Sequence, residues 1–246
     1  MVRYQVNLAY DGTNFQGFQR QGKVRTVQAE VENALRQLNW QGRTILFAGR
    51  TDSGVHASGQ IVVFDLEWAH SLEALGRALN ANLPTDVSVR QVKEAKAEFH
   101  PRFDAVSRTY RYKVYFQAER DPLKDRYAWR LFPAIELDKL QDAAKCLVGT
   151  HDCSAFGAPM KAGGSTIRCI NKAEWTQGNG NLWFEINANA FLYHMVRRVV
   201  YLQVAVGQNR ISLEELKEAV GSAQPQIPGL APPQGLVLEH IEYAGE

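Results

Sequence analysis

The segment AGRTDSGVHASGQ, residues 48–60, sets Arg50, Asp52, Ser53 and His56 among the small residues Ala48, Gly49, Gly54 and Ala57 and runs into the apolar IVVFDL. Small residues let a second backbone or a ligand come close. A carboxylate among them acts as nucleophile or base when it is ionised and oriented, and a nearby guanidinium favours the ionised form. The plain alternative for TDSG is an Asx-turn, in which Asp52 only bonds its own backbone ahead of Gly54. This window alone leaves both open.

Two further segments carry reactive side chains. RTYRYKVYF, residues 108–116, puts Tyr110, Tyr112, Val114 and Phe116 on one strand face and Thr109, Arg111, Lys113 and Tyr115 on the other. Alternating aromatics usually form core, yet aromatics among basic residues also stack single-stranded RNA bases. In FLYHMVRR, residues 191–198, two arginines lie on a largely apolar helix, where burial is costly unless an anion meets them. The helical period does not say which of Arg197 and Arg198 turns inward. His100, Asp104, His151, Asp152 and His194 would make a metal hydrolase site only on paper, since they lack the i, i+4 spacing of such motifs. Cys146, Cys153 and Cys169 have no zinc-like spacing and read as reduced thiols; Cys153 with His151 supplies too few ligands for a metal.

The elements that must position these residues follow from periodicity. Tyr4 to Tyr10 alternates as a strand ending at Asp11-Gly12. Thr26 caps a helix with the apolar face Val27, Val31, Ala34, Leu35 and Leu38. RTILFAG (43–49) and QIVVFDL (60–66) are strands on either side of Asp52, which therefore sits in their connection. A short helix at 71–79 and a strand at 86–92 complete a first half. The strand at 108–116, a helix through Leu137, Leu140, Ala144 and Leu147, and two strands joined by TQGNGN build a second. A long helix from about Phe191 to Val206 follows, then one opened by a Ser212–Glu215 capping box. The expected class is α+β in two similar halves, 1–103 and 104–246, each an antiparallel-rich sheet with helices on one face.

At 246 residues, with 45% hydrophobic and 22% charged side chains, the chain has an ordinary globular composition. No apolar run reaches a membrane-spanning length, and MVRYQVNLAY lacks the regions of a signal peptide, so the expected compartment is the cytoplasm. The net charge of +2 hides an uneven distribution. Residues 100–130 hold eight Lys or Arg against four Asp or Glu, while 211–246 hold six Glu and one Lys. Such a basic region permits a polyanionic partner without requiring one.

Taken together, YDGTNFQGFQRQ, RTVQAEVENAL, GRTDSGVHA, FHPRFDAVSRTYRY, FLYHMVRR and APPQGL occur in an order and spacing that resemble the tRNA pseudouridine synthase A family over nearly the whole chain. The resemblance implies isomerisation of uridine to pseudouridine at positions 38, 39 and 40 of the tRNA anticodon stem-loop. It implies a homodimer, an RNA-recognition-like sheet in each half around a central cleft, and no cofactor or metal. The family's catalytic aspartate falls on Asp52, its motif arginine on Arg50, its active-site tyrosine on Tyr110, and the arginine after MV on Arg197. Phe18, Pro101, Cys153 and Tyr201 depart from the usual Trp, Ala, aromatic and Gly, all away from those four.

The implied reaction breaks the bond between uracil N1 and the ribose, turns the base and rejoins it through C5. It needs an oriented carboxylate and a uridine flipped out of its stem. Arg20, Lys23, Arg25 and the cations from Arg108 to Arg130 are the candidate RNA contacts. Two other classes remain to compare: an RNA-binding module in which Asp52 is only a turn residue, and a glycoside hydrolase, for which no partner carboxylate is evident.

Overall fold

The computed structural model of the chain describes residues 1–178, 180–222 and 228–245. They fall into two compact units: Met1–Val106 with the chain from Val237 onward, and Ser107–Leu236. The halves expected at 103/104 differ from these units chiefly in the last strand, which returns to the first.

The first unit runs β1 (Val2–Tyr10), α1 (Val27–Gln37), β2 (Leu46–Phe47), β3 (His56–Leu66), α2 (Leu72–Asn82) and β4 (Val87–Glu94). β1 lies antiparallel between β3 and β4. In β3 the four successive residues Ile61, Val62, Val63 and Phe64 are all buried, the signature of a strand covered on both faces. β2 is shorter than RTILFAG suggests. Leu46 and Phe47 pair with Val63 and Val62 of β3, Ala48 N–H donates to the Ile61 carbonyl (3.0 Å), and just before them the buried Glu32 carboxylate of α1 accepts from the Ile45 N–H (3.3 Å) and the Thr44 hydroxyl (3.2 Å). Thr26 stands at the N-cap of α1 as expected, though its side chain makes no cap bond.

The second unit runs β5 (Ala105–Phe116), α3 (Pro122–Asp125), β6 (Trp129–Leu131), α4 (Leu137–Lys145), β7 (Gly149–Asp152), β8 (Ile167–Gly178), β9 (Asn181–Ala188), α5 (Met195–Gly207) and α6 (Leu213–Ala219). Its sheet has the order β5-β9-β8-β7, antiparallel throughout, with β6 parallel to β5. Asn179, in the turn between β8 and β9, lies outside the described residues. Tyr110, Tyr112 and Val114 are buried on one face of β5. Tyr115, expected on the polar face, is buried too, because its hydroxyl donates to Asp125 (2.6 Å) and Lys124 covers its ring.

α5 starts at Met195, four residues later than the periodicity suggests. Tyr193 is held in a β-bridge to Ala158, and His194 takes a left-handed conformation (φ 64°) that a continuing helix cannot accommodate. The Ser212–Glu215 capping box closes with both of its bonds, at 3.1 and 2.6 Å. The chain then returns as β10 (Leu236–Tyr243), parallel to β3 through Val237 against His56 and Leu238 against Ala57, giving the first unit the order β4-β1-β3-β10. No described helix is long and apolar enough to cross a membrane.

Candidate active site

The Asp52 loop owes its shape to main-chain contact with the 10–21 segment. Phe18 N–H donates to the Thr51 carbonyl (3.1 Å), Gly54 N–H to the Phe15 carbonyl (3.2 Å), and Gly12 N–H to His56 Nδ1 (3.0 Å). The Tyr10 and Thr51 hydroxyls share a buried bond of 2.8 Å. The segments come so close that a Cβ on Gly12 would lie 2.0 Å from the Val55 carbonyl oxygen, and one on Gly17 (φ +85°) 2.9 Å from that of Thr51. This contact explains the glycines of YDGTNFQGF. Val55 N–H closes the turn onto the Asp52 carbonyl (3.2 Å). Gly54 N–H is thus tied to the 10–21 segment, and half-buried Asp52 sits at the corner of the turn.

Arg50 is exposed on the same loop, and the charge that bears on it most is that of Arg102. Partial burial, then the like charge of Arg102, hold the Arg50 guanidinium below the ordinary arginine range. Arg102 is a charged neighbour that spacing did not single out, although it lies inside the FHPRFDA segment. Of the other basic candidates, Arg25 grips Asp86 with both Nη atoms (2.7 and 2.9 Å) and Glu30 through Nε (2.9 Å), which raises its pKa. Arg20 is paired with buried Glu32. Both ion pairs tie the 10–25 segment to the rest of the unit.

In the second unit Tyr110 is 9% exposed and meets Phe191 edge-on at 5.0 Å, while Tyr112 is fully buried and its hydroxyl donates to the Pro232 carbonyl (2.8 Å). Burial pushes the Tyr112 phenol well above its ordinary pKa, against the opposing pull of Arg197, so it stays a neutral donor. Arg197 and APPQGL interlock: Arg197 Nε donates to the Ala231 carbonyl (2.8 Å), and Ala231 N–H donates back to the Arg197 carbonyl (3.1 Å). Gly235 lets this segment lie on Tyr112, since a Cβ there would meet the ring at 2.6 Å. α5 is fixed in turn by buried Gln203, whose side-chain oxygen accepts from Trp175 Nε1 at 2.7 Å. Arg198 also turns inward, one Nη donating to the Phe156 carbonyl (3.1 Å), and burial lowers its pKa. Arg50 and Asp52 thus share one loop of the first unit, while Tyr110 and Arg197 belong to the second. The metal arrangement weighed from sequence is not assembled: among the described residues no three His, Cys, Asp or Glu side chains gather.

Residues 8–104 and 143–244 match the family described as tRNA pseudouridine synthase. The chain belongs to that family. Its relatives include proteins named tRNA pseudouridine synthase A from Chloroflexus aurantiacus, 38% identical over 96% of this chain and 87% of the relative. Others are from Streptococcus equi subsp. equi (38%, covering 99% of both chains) and Neisseria meningitidis serogroup B (37%, covering 98% and 92%). Membership makes the protein an enzyme, an isomerase of the pseudouridine synthase kind. Within such an enzyme the contact between Gly12 and Val55 is a requirement for the shape of the Asp52 loop. Gly12→Ala is expected to lower stability by about 1–3 kcal/mol, as overpacking does, and to shift Tm down by roughly 2–12 °C. A thermal melt of the purified variant checks this, and an unchanged Tm would mean that the loop yields freely.

Proposed function

We propose that the protein isomerises uridine at positions 38, 39 and 40 of the tRNA anticodon stem-loop, with Asp52 as the nucleophile on a flipped-out nucleotide. The observation that carries this reading is the Asp52 turn. It lies on a loop clamped backbone to backbone by the 10–21 segment. The clamp holds a half-buried carboxylate and the Arg50 guanidinium on one loop of fixed shape.

The reaction is an isomerisation in which atoms balance without a co-reactant. The N1–C1′ glycosidic bond breaks, the C5–C1′ bond forms, the C5 proton leaves and N1 ends protonated. Asp52 supplies an electron pair to the nucleotide, and the bond it forms breaks again as the product is released, so the carboxylate is regenerated. Arg50 and Arg197 balance negative charge around the nucleotide, Arg197 with its Nε already committed to Ala231. Tyr110 carries a hydroxyl suited to handling the C5 proton, provided its pKa is brought down from a phenol's usual value of about 10. Flipping the uridine costs a few kcal/mol, which contacts to the A-form backbone and loop offset. The same reading has the enzyme acting as a homodimer in the cytoplasm, and sedimentation of the purified protein tests the oligomer.

The decisive experiment is a pseudouridine map of an unmodified tRNA transcript incubated with the purified protein and no added cofactor. Product at 38, 39 or 40 is expected; release of free uracil instead would point to a hydrolase. Binding should weaken with salt as counterions are released. A log–log slope of about −2 to −4 corresponds to roughly three to five neutralised phosphates. A slope near zero would contradict an electrostatic hold on tRNA.

A further inference from the structure

The loop from Phe99 to Asp104 holds Arg102 and Phe103 out in solvent, Phe103 75% exposed. The loop is pinned from several sides. Arg3 donates to the carbonyls of Ala97 and Phe99, the Tyr243 hydroxyl donates to the Pro101 carbonyl (2.8 Å), and the Phe99 ring meets Tyr243 edge-on at 5.1 Å. The loop also closes on itself. His100 N–H donates to the Asp104 carboxylate (2.9 Å), and the Phe103 and Asp104 N–H groups donate to the His100 carbonyl (3.2 and 3.1 Å). The His100 ring lies 4.3 Å from that of Phe103, and the Arg102 guanidinium 5.9 Å from it.

The result is an aromatic surface with a cation at its rim, on a frame with little left to order when something binds. The positive charge of Arg102 also bears on Arg50. A second copy of the chain would cover the ring but would bring the same positive charges to the contact. A single-stranded nucleic acid meets both features, because each base offers a flat face and each linkage a negative charge.

We propose that Phe103 is a stacking platform for an unpaired base of the tRNA and that Arg102 contacts a neighbouring phosphate. This rests on the tRNA reading above and assigns part of the substrate's binding site. The test measures Kd for a tRNA transcript, turnover at tRNA below KM, and sedimentation, for the parent, Phe103→Ala and Phe103→Trp. Phe103→Ala is expected to weaken binding about 5- to 100-fold, the range for one stacked base, with turnover falling alongside. Phe103→Trp should keep affinity within about threefold, because a larger ring stacks as well. Equal affinity for parent and Ala variant overturns the proposal. So does a Trp variant as weak as Ala, or an Ala variant that loses self-association while holding tRNA normally. A parent that binds tRNA through Phe103 yet makes no pseudouridine would sink the enzymatic reading and leave this site standing.

Discussion

Asp52→Asn should fold, bind tRNA and make pseudouridine at least about 10³-fold more slowly than the parent, a loss of roughly 4 kcal/mol or more of transition-state stabilisation. The fold should survive because the turn is closed by Val55 N–H on the Asp52 carbonyl and by Gly54 N–H on the Phe15 carbonyl, neither of which the substitution touches. Asparagine is nearly the same size but has no charge and no nucleophilic oxygen pair. Affinity for tRNA should hold or tighten, because a negative charge that opposes phosphate is removed while Arg50 and Arg102 stay. If Asp52 were only a turn residue, the pattern would reverse: a lower Tm with near-normal turnover of the folded fraction. Melting, affinity and product measured on one preparation separate the two. Substantial pseudouridine from a folded Asn variant would remove Asp52 from the mechanism.

The second large effect concerns two tyrosines one strand-turn apart. Tyr110→Phe keeps the ring against Phe191 and removes only the hydroxyl, so the melt should barely move while turnover drops about 10²- to 10⁴-fold if that hydroxyl handles the C5 proton. Tyr112→Phe should do the opposite. Its hydroxyl holds the Pro232 carbonyl at 2.8 Å, and losing that bond costs about 1 kcal/mol of stability with little direct effect on chemistry. Tyr110→Ala is a poorer probe than Tyr110→Phe: with the ring only 9% exposed, truncation leaves a cavity worth about 3–5 kcal/mol, which mixes folding with function. Equal turnover for the parent and Tyr110→Phe would make Tyr110 a core residue without a proton-transfer role.

Short-range pattern was enough for much of this. The alternation of β1, the apolar face of α1, the uninterrupted apolar run of β3 and the Ser212–Glu215 cap all formed where their periods place them, because each depends on neighbours within one turn or one strand. The motifs around Asp52, Tyr110 and Arg197 were likewise legible, as was the family they point to. What the sequence could not determine depends on residues far apart in the chain. Buried Glu32 of α1 accepts hydrogen bonds from Thr44 and Ile45, and Arg25 is paired with Asp86, sixty-one residues away. Tyr193 stops a helix that its own neighbours would continue, because Ala158 captures its N–H at 2.9 Å. The final strand leaves its sequential neighbours to pair with β3, and the Arg197 helix is tied to APPQGL by bonds that span thirty-four residues. In each case local propensity names a structure, and a hydrogen-bond partner or a charge brought in by the tertiary fold changes which structure satisfies the backbone at lowest free energy.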